Sequence, residues 1–162
     1  VRHICQDLDL WRRRLKELES DIGGLLDAHE VGRLLTSIDG IGPNSAARII
    51  AIVGDPARFR SAGAFAAYVG VVPALRQSGK RTGTRAATGF GNAKLRSALW
   101  MTTLAAVRLN DWLRPFYERL RAAGKPPKLA LIAAMRKLLH AVYSVARNRR
   151  PFVPITEQAR AA

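Results

Sequence analysis

Apolar residues recur over the first 25 positions at alternating intervals of four and three: Ile4, Leu8, Trp11, Leu15, Leu18, Ile22 and Leu25. This is a heptad seam of about three repeats, flanked by Arg12, Arg13, Arg14, Lys16, Glu17 and Glu19. It predicts a single helix over residues 1–31, weakened near its end by Gly23 and Gly24. Two uses of the seam stay open: a dimerising coiled coil, or an amphipathic helix packed on its own domain. A seam this short is marginal alone, so a dimer would draw on other contacts as well.

A second pattern starts at Leu34-Leu35 and runs through Asp39-Gly40-Ile41-Gly42-Pro43-Asn44-Ser45 into Ala46, Ile49 and Ile50. Two glycines bracketing one apolar residue, then apolar positions at helical spacing, predict a helix-hairpin-helix over about residues 34–54. The glycines permit a tight turn, and their bare backbone N–H groups can approach a phosphate, which makes Gly40 and Gly42 candidate DNA contacts. The same hairpin can also serve as architecture only. Asn44 or Ser45 is a candidate cap for the second helix.

Asp55-Pro56 ends that helix, and Ser61 caps a short one over 62–69, which Gly70-Val71-Val72-Pro73 breaks. Residues 74–91 have no helical period, four glycines, four basic residues and no acid, which predicts a long basic loop. Further helices are predicted from Asn92 to Leu109, from Asp111 to Ala123, and from Pro126-Pro127 onward, with Leu131, Met135, Leu138, Leu139, Val142 and Val145 on the apolar face of the last. Trp100, Trp112, Phe116 and Tyr117 fall at helical spacing and are read as core.

The architecture expected is therefore mainly α. A coiled-coil or long N-terminal helix (1–31) precedes a compact helical domain (32–154) that contains the hairpin, the loop and a helical bundle over 92–150. Residues 155–162 are expected to form a loose tail.

Charge changes this picture. The chain of 162 residues carries 27 Lys+Arg against 12 Asp+Glu, a net of +15. Residues 1–55 hold nine acidic and seven basic groups, a net of −2, while residues 56–162 hold three and 20, a net of +17. No carboxylate occurs between Asp55 and Asp111. Solubilising faces normally mix both signs, so this excess points to a polyanion, with nucleic acid first.

The same distribution limits the chemistry. Two-metal nuclease sites need converging carboxylates, and Asp111, Glu118 and Glu157 are too few and too far apart. His3, His29 and His140 have no acidic neighbours at ligand spacing and are read as surface or packing residues. The single cysteine, Cys5, excludes an internal disulfide and a Cys-based zinc site. No apolar run approaches a membrane span and no signal peptide is visible, so a cytoplasmic protein is expected. The chain opens on Val1 inside a predicted helix, which suggests a piece of a longer protein.

Ser78, in Arg76-Gln77-Ser78-Gly79-Lys80-Arg81, is the one nucleophile candidate in the basic loop. A serine hydroxyl can attack a phosphodiester and keep the bond as a phosphoseryl link, with Arg and Lys offsetting the added charge. It can equally be a plain phosphate hydrogen-bond donor. Arg76, Lys80, Arg81 and Arg85 are candidate phosphate contacts around it, and Gly79 allows close approach of a strand beside Gln77. Asn92, Lys94 and Arg96, at a predicted helix N-terminus, could hold another phosphate.

An ordered series of motifs carries a resemblance. Phe65-Ala-Ala-Tyr68-Val-Gly70-Val-Val-Pro73, Gln77-Ser78-Gly79 and Gly91-Asn92-Ala93-Lys94-Leu95-Arg96-Ser-Ala-Leu99 resemble the C-terminal domain of insertion-sequence transposases of the IS110 type. Phe116-Tyr117-Glu118-Arg119-Leu120, Gly124-Lys125-Pro126 and Ala134-Met135-Arg136-Lys137-Leu138-Leu139 continue it, and the Gly40-Ile41-Gly42 hairpin and heptad helix have counterparts. The resemblance covers about residues 1–153. It implies a DNA recombinase in which Ser78 is the catalytic nucleophile in the loop. It further implies a guide (bridge) RNA that pairs with DNA, a homodimer through the N-terminal helix, and a tetramer in the full-length family. Mg²⁺ is implied for an N-terminal RuvC-like acidic domain, which has no counterpart in this sequence, so no cofactor is expected in this chain.

The resulting expectation is DNA transposition: the C-terminal part of a serine-dependent transposase that binds DNA and guide RNA. By itself it would bind nucleic acid without completing strand exchange. The alternatives are a non-catalytic helix-hairpin-helix nucleic-acid-binding module, an inactive transposase remnant, or a coiled-coil interaction protein whose basic surface only aids solubility.

Overall fold

Seven helices and one short β-ribbon make up the residues that the computed structural model describes, 1–72, 74–78, 81–85 and 91–154. For both strands and Arg2 the description is of the backbone. The mainly α architecture agrees with the hydrophobic pattern.

The first helix, α1 (Arg2–Asp27), ends four residues short of the predicted boundary. Its residues 2–21 are exposed wherever a side chain is described, and Leu26 is the first to be buried. Only this C-terminal end packs, on α2 (Glu30–Leu35) and α3 (Pro43–Val53). The α1–α2 corner is tight: a Cβ on Gly32 would stand 2.5 Å from Leu26 Cδ1. His29 has a structural role there, its Nδ1 accepting from Gly32 N–H at 3.1 Å and capping α2.

The cap predicted for α3 is corrected. Gly42 is the N-cap and Pro43 fills the first helical position, where its missing N–H costs nothing. Neither Asn44 nor Ser45 caps the helix. Ser45 Oγ instead meets Thr102 Oγ1 at 2.9 Å across the interface with α5 (Ala93–Leu109), and Asn44 Nδ2 donates to Glu19 Oε1 at 3.4 Å.

Two other caps, Ser61 and Asn92, agree with the sequence, while Asp55, read only as ending the helix before it, caps the turn that follows. Asp55 Oδ1 accepts from Ala57 N–H at 2.8 Å over the 3₁₀ turn Pro56–Arg58. Ser61 Oγ accepts from Ala64 N–H at 3.1 Å at the start of α4 (Ala62–Val69). Asn92 Oδ1 accepts from Leu95 N–H at 3.0 Å at the start of α5. Helix α6 (Arg114–Ala122) begins later than predicted, because the buried Asn110 accepts from Trp112 N–H at 3.2 Å and holds the intervening residues in a turn.

The last helix, α7 (Pro127–Asn148), is the core helix. Leu131, Met135, Leu138, Leu139, Val142 and Val145 are buried against α2, α4, α5 and α6. Each such side chain contributes roughly 1.5–3 kcal/mol on burial. By length and composition α7 is the one described helix apolar enough to cross a bilayer, a stretch the sequence reading passed over. Its apolar face is spent on the interior of this fold.

The predicted loop over 74–91 is corrected in part. It contains an antiparallel ribbon, β1 (Ala74–Ser78) paired with β2 (Arg81–Arg85).

Candidate nucleic-acid interface

The ribbon leaves the helical body through a pinned neck. Helix α4 ends on Gly70 in the left-handed region (φ 85°), and Val71 N–H returns to Ala66 O at 3.0 Å. Val71 is then buried, which fixes the outgoing strand. The described chain resumes at the same corner, at Gly91. Gly91 (φ 106°) lies so close that a Cβ there would stand 2.6 Å from Gly70 Cα. Asn92 N–H donates to Tyr68 O at 2.8 Å, and Arg96 Nη1 donates to Val69 O at 2.9 Å.

Two predicted phosphate contacts also have structural work. Asn92 caps α5 and also reaches Tyr68 Oη at 3.4 Å, and Arg96, half-buried, ties α5 to the end of α4. Lys94 stays exposed in the first turn of α5.

Within the ribbon the register pairs Ser78 with Arg81, Gln77 with Thr82, Arg76 with Gly83, Leu75 with Thr84 and Ala74 with Arg85. Paired residues share a face and the period along a strand is two. Ser78, Arg76, Arg81 and Arg85 therefore belong to one face of the ribbon. Gly79 and Lys80 lie outside the described residues.

The two glycines of the predicted DNA-binding turn are used differently. Gly40 (φ 90°) is packed: a Cβ there would be 2.6 Å from Ala106 Cα on α5. Asn110 Nδ2 donates to Asp39 O at 3.0 Å and holds the same turn. Gly42 is exposed, with open space where a Cβ would be.

Among the described residues there is no group of three or more His, Cys, Asp or Glu that could hold a metal ion. The heptad residues Ile4, Leu8, Trp11, Leu15, Leu18 and Leu25 are 51–75% exposed. The aromatics read as core are only half-buried, and two of them sit under cations. Lys137 Nζ is 5.1 Å from the Trp112 ring centroid and 4.7 Å from that of Phe116, while the Arg119 guanidinium is 5.5 Å from Phe116. Sequence reasoning missed this cluster, although Phe116 and Arg119 are three apart on α6, the spacing of one helical face.

Comparison with known proteins adds the family. The family model described as "Transposase IS116/IS110/IS902 family" matches residues 32–118. The "Insertion element IS110 uncharacterized 43.6 kDa protein" of Streptomyces coelicolor is 30% identical over 91% of this chain and 36% of its own length. The "Pilin gene-inverting protein" of Moraxella lacunata is 33% identical over 88% of this chain and 46% of its own. The "Insertion element IS116 uncharacterized 44.8 kDa protein" of Streptomyces clavuligerus is 28% identical over 87% and 35%. The chain thus spans between about a third and a half of the length of these relatives.

Proposed function

Because this chain belongs to the IS116/IS110/IS902 transposase family, we propose that it is the serine-bearing, nucleic-acid-binding part of an insertion-sequence transposase. Ser78 is the nucleophile. Its Oγ forms a bond to a DNA phosphorus while the bond from that phosphorus to the leaving sugar oxygen breaks. The seryl proton passes to a base and the leaving oxygen gains one. Since one phosphate ester replaces another, a DNA hydroxyl can later displace the serine and reseal the strand without an outside energy source.

The observation that carries this reading is the register of the ribbon. It sets Ser78 opposite Arg81, with Arg76 and Arg85 on the same face, in a stretch from residue 56 to 110 that has no carboxylate. Cations so placed favour a phosphoryl group that gains charge as it is attacked. The neck supports the reading too, because hydrogen bonds from Asn92 and Arg96 to α4 hold both ends of the segment at one corner. Lys94 and the exposed Gly42 edge supply flanking phosphate contacts. DNA and guide RNA are the partners, and the protein works in the cytoplasm, where it meets both.

Helix α1 is the homodimer contact, and full-length proteins pair their dimers into tetramers. In support, some 20 residues of α1 stand clear of the domain with their apolar seam uncovered, and a lone helix of that length is marginal in water.

Strand cleavage tests the reading. The chain is combined with the N-terminal part of a full-length relative, guide RNA and a DNA target, and Ser78→Ala is compared with wild type. Cleavage lost in Ser78→Ala supports the assignment. Cleavage that survives the substitution means Ser78 only donates a hydrogen bond.

A further inference from the structure

An open groove of about 1170 Å³ runs between α6, the outer side of α7 and the segment Arg150–Pro154. Its aromatic members are Trp112, Phe116 and Phe152, all half-buried. Phe152 stands 5.0 Å from Trp112 at a tilt of 47° and is held there by its own N–H, which donates to Ser37 Oγ at 2.7 Å. Its cations are Lys137, between the Trp112 and Phe116 rings, Arg119, over Phe116, and the exposed Arg150. Trp112 Nε1 is the one buried side-chain donor, among the described residues, without an acceptor.

We propose that this groove binds an unpaired segment of nucleic acid, with a base against the Phe116 and Phe152 rings and its phosphates along Arg119, Lys137 and Arg150. The inference rests on the reading above that the chain binds nucleic acid, and it places a second site on elements other than the ribbon. A duplex keeps its bases stacked inside, so partly buried rings gain nothing from it. An unpaired strand offers both base faces and a phosphate at each step.

Two carboxylates, Asp39 and Asp111, also line the groove. They repel phosphate and accept from base N–H groups, such as N3–H of uracil, so they face the base edge while the backbone follows the cations.

The test is fluorescence anisotropy of the whole chain with a labelled single-stranded oligouridylate and with a labelled DNA duplex of equal length. Phe152→Ala, Lys137→Gln and Arg150→Gln are compared with wild type, with circular dichroism as the check on folding. Arg150 is exposed, so its variant leaves the core untouched. Loss of one stacked base is expected to weaken single-strand binding by Phe152→Ala on the order of tenfold while duplex binding stays within about twofold. The two charge variants shift in the same direction. Equal losses on both ligands, or no loss on the single strand, overturn the groove and leave the ribbon reading standing. A wild-type chain that binds neither ligand overturns both. As a second readout, a 5-bromouridine strand cross-links to Trp112, Phe116 or Phe152 if the proposal holds, and only to other residues if it is wrong.

Discussion

Replacing Gly40 by alanine separates packing from phosphate contact in the Gly40-Ile41-Gly42 turn. The added Cβ would lie 2.6 Å from Ala106 Cα, 2.7 Å from its Cβ and 2.9 Å from its backbone nitrogen. All three neighbours belong to the rigid helix α5, so none can swing aside. Overpacking of this kind costs about 1–3 kcal/mol. The backbone at φ 90° adds strain for any L side chain, about 1–2 kcal/mol. The sum is about 2–5 kcal/mol, or roughly 4–20 °C in Tm for a chain of this size. Gly42→Ser is the matched control. No atom lies within 4 Å of its added Cβ, and serine is at least as good an N-cap as glycine, so stability should hold or rise by about 0.5 kcal/mol. Urea unfolding followed by circular dichroism measures both. If Gly40→Ala unfolds within about 0.5 kcal/mol of wild type, the packing argument is wrong and the glycine must serve a ligand instead.

Asn92→Ala removes the α5 cap together with its reach to Tyr68 and should cost about 1 kcal/mol in urea unfolding; no loss would mean the neck is held without it. Arg149, left-handed at φ 51°, pairs with Asp55 and Glu30 at the surface. Arg149→Ala should cost about 1 kcal/mol for the partly exposed pairs, and Arg149→Gly should recover about 1 kcal/mol of it because glycine relieves the left-handed strain that Arg and Ala share, both by thermal melts. Burial, and then the Arg136 charge, lowers the His140 pKa below its ordinary 6.5. The unfolded chain therefore takes up a proton more readily, so stability should fall as pH drops below about 6.5, and His140→Asn should flatten that slope.

Much of the fold was legible because its signals are local. Ser61, Asn92 and Pro126-Pro127 mark helix starts through hydrogen bonds or backbone angles that reach three residues at most. What the sequence hid is tertiary. Arg96 reads as a phosphate ligand by charge and position, and only the fold shows that it also donates to Val69 O, 27 residues away. Gly40 looked like a backbone donor, yet the reason for a glycine there is Ala106 on another helix. Ser45 reads as a cap until Pro43 takes the first turn and Thr102 takes the hydroxyl. The ribbon escaped notice because Thr82-Gly83-Thr84 carries no apolar alternation, although its register is what groups Ser78 with the arginines. The rings of Trp112 and Phe116 share the spacing of core residues and pack partly buried against the core, and only the fold shows the cations above them.

The central claim is that Ser78 becomes covalently joined to DNA. The most direct measurement traps the reaction of the chain, combined with the N-terminal part of a relative and guide RNA, on a nicked DNA that cannot be resealed. Proteolysis and mass spectrometry then locate the nucleotide. The account predicts a phosphoester on Ser78 that disappears in Ser78→Ala. An adduct on any other residue, or one that persists in Ser78→Ala, would contradict it.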